Sequence, residues 1–248
     1  MRIYLIWLCL ILIVPVVSAQ QALLSEASQF KKTEYKRALD LYEKVLEMDP
    51  SNIEALTEAG LLQTKIGNRT ANKEEKEIYF KKAIDYTKKA VMLNPNSCMA
   101  NYTYGVALGR MGDISGAKKR VQNSQIIKNH CEKALEIDPK HAPSWHLLGK
   151  LNYRLSNLNV AERAAATLLF GGLPKGVSTE KAVECYEKAV MFDGNYLLYR
   201  LDLAVALIKT KNIPRAIDVL ETAIRIPAIT EDDDSYLSDC KSLLRKLK

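Results

Sequence analysis

Five strings, YEKVLEMDP (42–50), TKKAVMLNP (87–95), CEKALEIDP (131–139), YEKAVMFDG (186–194) and LETAIRIPA (220–228), are variants of one pattern. Four residues before each string stands a small or apolar residue: Ala38, Ala83, Ile127, Ala182 and Ala216. Three residues into each string stands another: Val45, Ala90, Ala134, Ala189 and Ala223. Offsets of four and three place these positions on one face of a helix. Small side chains on that face let a second helix approach closely. The Asp-Pro or Asn-Pro that follows in three strings stops the helix, because proline has no amide hydrogen and clashes with the preceding turn.

A second pattern lies upstream of the strings. Trp145, Leu148 and Gly149 form a Trp-x-x-Leu-Gly start, and Gly60 and Gly105 occupy the same glycine position. The two halves together resemble the tetratricopeptide repeat, a helix pair with a period of 34 residues. Ala182 and Ala216 are 34 apart; the earlier intervals of 45, 44 and 55 imply insertions within three of the pairs. The first two, near 68–80 and 118–125, lengthen the second helix. The third, near 155–179, holds an Ala-rich helical stretch, Ala161 to Phe170, and a Gly171-Gly172-Leu173-Pro174 break. The fold expected is all-α: a right-handed superhelical stack of tetratricopeptide-type helix pairs over 20–248, with an inserted helix and a C-terminal capping helix. Second helices are expected near 35–49, 72–94, 118–138, 178–193 and 213–226. The cap spans 231–247, with Glu231 to Asp234 at its start and Arg245, Lys246 and Lys248 at its end, as the helix dipole favours.

Composition agrees with a helical core: 48% of the 248 residues are hydrophobic, with only 11 Gly and 8 Pro. The net charge of +7 comes from interleaved Lys and Glu, as in Lys73-Glu74-Glu75-Lys76-Glu77. Such interleaving makes solvated faces with local ion pairs. It does not make the one-signed, aromatic-studded patch of a nucleic-acid binder. Cys98, Cys131, Cys185 and Cys240 are too dispersed for a disulfide framework and form no CxxC, so they read as small buried hydrophobes. His130, His141 and His146 have no carboxylate at metal-binding spacing. No metal, cofactor or catalytic group is expected, and the chain reads as a binding protein rather than an enzyme.

At the N-terminus, Arg2, the apolar run Ile3 to Val17 and the small residues to Ala19 read as a secretory signal peptide over 1–19. The expectation is an exported protein, periplasmic or secreted, or alternatively one anchored to a membrane by that segment uncleaved.

From Ser144 onward the likeness sharpens. SWHLLGKLNYRLSNLNVAERAAATLLFG, then YEKAVMFDG, then the ending RIPAITEDDDSYLSDCKSLLRKLK are similar to the regulator of microtubule dynamics family. That resemblance covers the C-terminal half in detail and the N-terminal half as repeats. It implies a helical-repeat domain without enzymatic activity and, in animal members, association with microtubules or organelle membranes. An exported chain would not meet tubulin, so the expectation carries over the fold and the binding role but excludes microtubules.

The first helices of stacked pairs line the concave side. Counted from Ile53, Cys98, Ala142 and Leu197, the thirteenth residues are Lys65, Arg110, Arg154 and Lys209. A base near a helix C-terminus also complements the dipole alone, but four at one register form a ladder suited to a carboxylate or phosphate. With Tyr102, His146, Lys150 and Tyr153 these residues make up the expected groove site. The expected function is a scaffold binding a protein or acidic peptide in its concave groove. The alternative is a lipid or amphiphile binder, or a protein at a membrane surface, with an apolar pocket under residues 160–170 near Leu168, Leu169 and Phe170.

Overall fold

A computed structural model describes residues 18–170 and 172–248. Within them the chain is helical throughout, without strands. A helix over 18–30, α1, is followed by α2 (Tyr35–Met48), α3 (Ile53–Arg69), α4 (Lys73–Leu93), α5 (Cys98–Ile114) and α6 (Ala117–Ile137). Then come α7 (Ala142–Ser156), α8 (Val160–Phe170), α9 (Thr179–Phe192), α10 (Leu197–Lys209), α11 (Ile213–Ala223) and α12 (Asp233–Leu247). Antiparallel pairs α3/α4, α5/α6, α7/α9 and α10/α11 stack in chain order, α8 leans on α6, and α12 covers α10 and α11. The all-helical repeat stack is therefore the fold, with its inserted and capping helices. The apolar run Ile3 to Val17 lies outside the described residues.

The repeated strings explain the boundaries. Asn52, Asn72, Ser97 and Ser178 each accept a hydrogen bond from the amide three residues on, so α3, α4, α5 and α9 start at satisfied caps. At the far end of α2, α4 and α6, Asp49, Asn94 and Asp138 accept from the amides of Ser51, Asn96 and Lys140, closing an Asx turn over the intervening proline. The extra residues of the second and third pairs lie in α4 and α6, which run 21 residues each against 14 in α2 and α9.

The face carrying the pattern is the core. Ala38, Tyr42, Val45, Ala83, Thr87, Ala90, Cys131, Ala134, Ala182, Ala189, Ala216, Leu220 and Ala223 are fully buried. Close approach is most demanding at the first-helix glycines. A Cβ on Gly60 would lie 2.4 Å from the Thr87 methyl, and one on Gly149 2.6 Å from the Tyr186 ring. Gly149→Ala forces that buried ring aside and costs a net of about 1–3 kcal/mol despite alanine's better helix propensity. Gly109→Ala adds a methyl that meets nothing nearer than Ile127 at 4.0 Å, so it stabilises by up to about 1 kcal/mol. Urea unfolding of the two variants should move in opposite directions.

The segment between α11 and α12 leaves its own end of the stack. The Glu231 amide donates to the Lys32 carbonyl at 3.0 Å. The Tyr35 amide donates to the Glu231 carboxylate, which also pairs with Arg69. The Tyr35 hydroxyl donates to Asp232 at 2.9 Å, and Arg69 Nε lies 3.8 Å from the same carboxylate. The acidic run thus does more than complement the α12 dipole. Asp233 and Asp234 occupy the first turn of that helix, while Glu231 and Asp232 join the last repeat to the first.

Candidate functional site

The inner faces of α3, α5, α7 and α10, with the crossing segment before α12, enclose a cavity of about 330 Å³. Helical periodicity sets its walls. On α5, Tyr102, Val106 and Arg110 stand one turn apart in a row; on α7, His146, Lys150 and Arg154 do the same. Each row runs from an aromatic residue to a base near the helix C-terminus. Lys65 and Asn68 contribute from α3, and Tyr196, Tyr199 and Tyr236 from the C-terminal repeats and cap.

Of the residues expected in the groove, Lys65, Tyr102, Arg110, His146, Lys150 and Arg154 line this one cavity. Tyr153 and Lys209 do not. Tyr153 is one residue, hence about 100° of helix, away from the inner row, and packs with Tyr186 and Leu207 between repeats. Lys209 is the thirteenth and last residue of α10, where the helix ends and the side chain is exposed. In α3, α5 and α7 the same register is followed by a further stretch of helix, which keeps the base against the groove. The ladder therefore has three rungs inside the cavity, with Lys150 one turn before Arg154. The sequence reading also missed Tyr196, Tyr199, Tyr236, Asp113, Asp202 and Asp232. Asp113 carried a local signal, three residues after Arg110, but the others meet the groove only through tertiary packing.

The cations are not equally compensated. Asp113 pairs with both Arg154, in a two-pronged contact, and Arg110 at 3.7 Å. Arg110 also donates to the Asn68 side chain at 3.1 Å. Lys150 lies 4.0 Å from Asp202, whose carboxylate accepts from His146 Nε2 at 2.7 Å. His146, packed on Tyr186 and Tyr199 with ring centroids 5.5 and 4.6 Å away, is held below the usual histidine range by burial and stays neutral. Burial likewise lowers the Lys150 ammonium to about 8, against the pull of Asp202, and depresses Lys65 over the Tyr35 ring. Burial raises Tyr102, and raises Tyr196 to about 12, so both hydroxyls remain neutral donors.

Five cations line the cavity, Lys32, Lys65, Arg110, Lys150 and Arg154, against three carboxylates, Asp113, Asp193 and Asp232. Counting Asp202 behind them still leaves an excess of positive charge. Partly desolvated ammonium groups next to neutral hydroxyl donors gain most from an anion that replaces lost water. The arrangement is suited to binding charge, and no serine or cysteine stands among the residues that line the cavity. Cys131 and Cys185 are buried thiols with pKa raised by burial, and His130 and His141 are tied to Asn101 and Ser144.

The inserted helix lies elsewhere. Val160 and Leu168 of α8 are 87% and 86% exposed, and none of the residues lining this cavity comes from 160–170. The side chains of Leu169 and Phe170 are outside the described residues. Helix α8 rests on α6, so the central cavity is separate from any pocket beneath that helix.

Comparison with known proteins identifies the fold and its relatives. Residues 19–248 match the family described as Regulator of microtubule dynamics protein 1-3. Regulator of microtubule dynamics protein 1 of Bos taurus is 35% identical over 70% of this chain and 55% of its own length. The same protein of Homo sapiens is 33% identical, again over 70% of this chain and 55% of its own length. The chain thus spans about half the length of the curated relatives it matches. A thermophilic TPR protein of Thermus thermophilus superposes with a TM-score of 0.64 at 18% identity, covering 91% of this chain and all of the other. Relatives named for regulating microtubule dynamics overturn the expectation of an exported protein. A short apolar run followed by small residues does not by itself specify export, and the exclusion of microtubules that rested on it falls too.

Proposed function

The chain belongs to the Regulator of microtubule dynamics protein 1-3 family, and from that premise we propose that it is a non-enzymatic scaffold that binds a protein partner through an acidic segment laid in the concave groove. The tetratricopeptide-like fold is typical of protein-interaction scaffolds. The observation that carries the finer reading is the cluster of Lys65, Arg110, Lys150 and Arg154, with tyrosine hydroxyls, around one cavity. The relatives' name makes a microtubule-associated protein the first partner to test.

Fluorescence anisotropy with labelled hexaglutamate and hexalysine peptides is the direct test: hexaglutamate binds with an affinity that falls with salt, and hexalysine does not. Equal binding of both peptides would refute the reading. The pH profile adds a residue-specific signature. A bound carboxylate favours the charged form of Lys150, whose free pKa is about 8. Affinity is therefore full below pH 8 and declines as pH rises through that value, with a proton taken up on binding near the midpoint. A lysine of ordinary pKa would hold its affinity to beyond about pH 10. In Lys150→Met the step near pH 8 disappears, and what fall with pH remains is that of Lys65, which burial also lowers.

A further inference from the structure

The groove is already in contact with an acidic segment, the chain's own. We propose that Glu231-Asp232 is an intramolecular latch that closes the stack into a ring and competes with the acidic ligand for the groove; this rests on the reading of the groove as an acidic-segment site. The contact is specific and long-range. Glu231 takes the Tyr35 amide and Arg69, Asp232 takes the Tyr35 hydroxyl, and the Glu231 amide pairs with the Lys32 carbonyl. These partners lie 196 or more residues from the latch, apart from Arg69 at 162.

The latch also forms part of the site. Lys32, Lys65 and Asp232 line the central cavity together, and Asp232 is the largest electrostatic influence pulling against the desolvation of Lys65. A carboxylate pair arriving from a partner would find Lys65, at the N-terminal end of the cationic row, already beside Asp232, and Arg69 in the adjoining cavity already paired with Glu231. The partner segment the groove accepts is therefore one carrying adjacent Glu and Asp residues, able to replace Glu231 and Asp232 at Arg69, Lys65 and Tyr35. The latch is held at its edge by charge-assisted hydrogen bonds that are partly open to water, with 46% of the Arg69 side-chain surface and 26% of that of Glu231 exposed. Such bonds can exchange one carboxylate for another without unfolding the repeats. Asp233 closes the turn that carries the latch residues by accepting from the Ile229 and Thr230 amides at 2.8 Å each, bonds that use neither the Glu231 nor the Asp232 side chain.

The experiment compares the full chain with Glu231→Gln/Asp232→Asn and, from the opposite side, with Arg69→Gln. Asp233 is left in place so that α12 keeps its start, and far-UV circular dichroism checks helix content. Amide exchange at Tyr35 and residue 231 reports the latch, and anisotropy with a labelled peptide ITEDDDSY, copying 229–236, reports competition. Both variants should exchange at least about 10-fold faster at those amides. Glu231→Gln/Asp232→Asn should bind the peptide about 10-fold more tightly than the unaltered chain, whereas Arg69→Gln, which loses a ligand contact as well, gains less. Unchanged exchange in both variants overturns the latch. Faster exchange with equal peptide affinity in the double variant and the unaltered chain overturns the competition alone. Absence of peptide binding in every chain refutes the groove reading, and the competition with it.

Discussion

Arg110→Glu/Arg154→Glu lowers the affinity for hexaglutamate by about 100-fold, about 3 kcal/mol, and flattens its salt dependence. The two guanidinium groups flank Asp113, so reversing both replaces a net cationic cluster by three neighbouring carboxylates. The loss is larger than for a single exposed charge because both groups lie on the cavity wall, and the acidic ligand then meets repulsion where it had two partners. Salt screens the attraction in the unaltered chain, and a site that no longer attracts has little left to screen. The variant should keep a cooperative urea transition, since neither side chain belongs to the buried core. Lys209→Glu is the matched control: it reverses a base of the same register that lies outside the cavity, and affinity stays within about twofold. An affinity in the double variant equal to that of the unaltered chain would remove the cationic row from the functional account.

Tyr186→Ala has the largest effect on stability, about 3–5 kcal/mol. The ring is 2% exposed and fills the notch left by Gly149, against His146 and Leu203. Removing it leaves a void between α7 and α9 that neither helix can close, because each is held by its other neighbours. Loss on this scale is a large share of the roughly 5–15 kcal/mol that stabilises a typical domain. Chemical denaturation should show a much lower midpoint. The consequence for binding is secondary but traceable: His146 and Lys150 stand on the same helix, so peptide affinity falls with loosened α7. Tyr186→Phe, which keeps the ring, stays within about 1 kcal/mol. A Tyr186→Ala chain as stable as the original would contradict the packing described around Gly149.

The contrast between what was and was not legible in the sequence follows the range of the interactions. Helix faces are set by residues three and four apart, so Ala182, Tyr186 and Ala189 announced their burial in their spacing alone. The inner rows were readable for the same reason: Tyr102 with Arg110, and His146 with Arg154, lie at multiples of four on single helices. Lys209 broke the pattern because register says nothing about where a helix stops, and α10 stops at that residue. Tyr153 broke it because one residue turns a side chain out of the groove and into the seam between repeats. Nothing local could announce that Glu231 would meet Arg69, since a pairing over 162 positions depends on how far the stack curves. The curvature sums small rotations at every helix contact, and no single string encodes it. Export failed as an expectation for a related reason, since hydropathy describes a segment's solvent preference and not its address.

The crossing of residues 230–232 onto 31–35 changes how such a stack comes apart. Open repeat arrays fray, shedding a terminal pair while the rest stays intact, because each unit touches only its neighbours. Here the first and last units hold each other, so neither has a free end from which to peel. Thermal melting should then lose its shallow early slope and sharpen into one transition, with the melting of α1, α2 and α12 coincident rather than sequential.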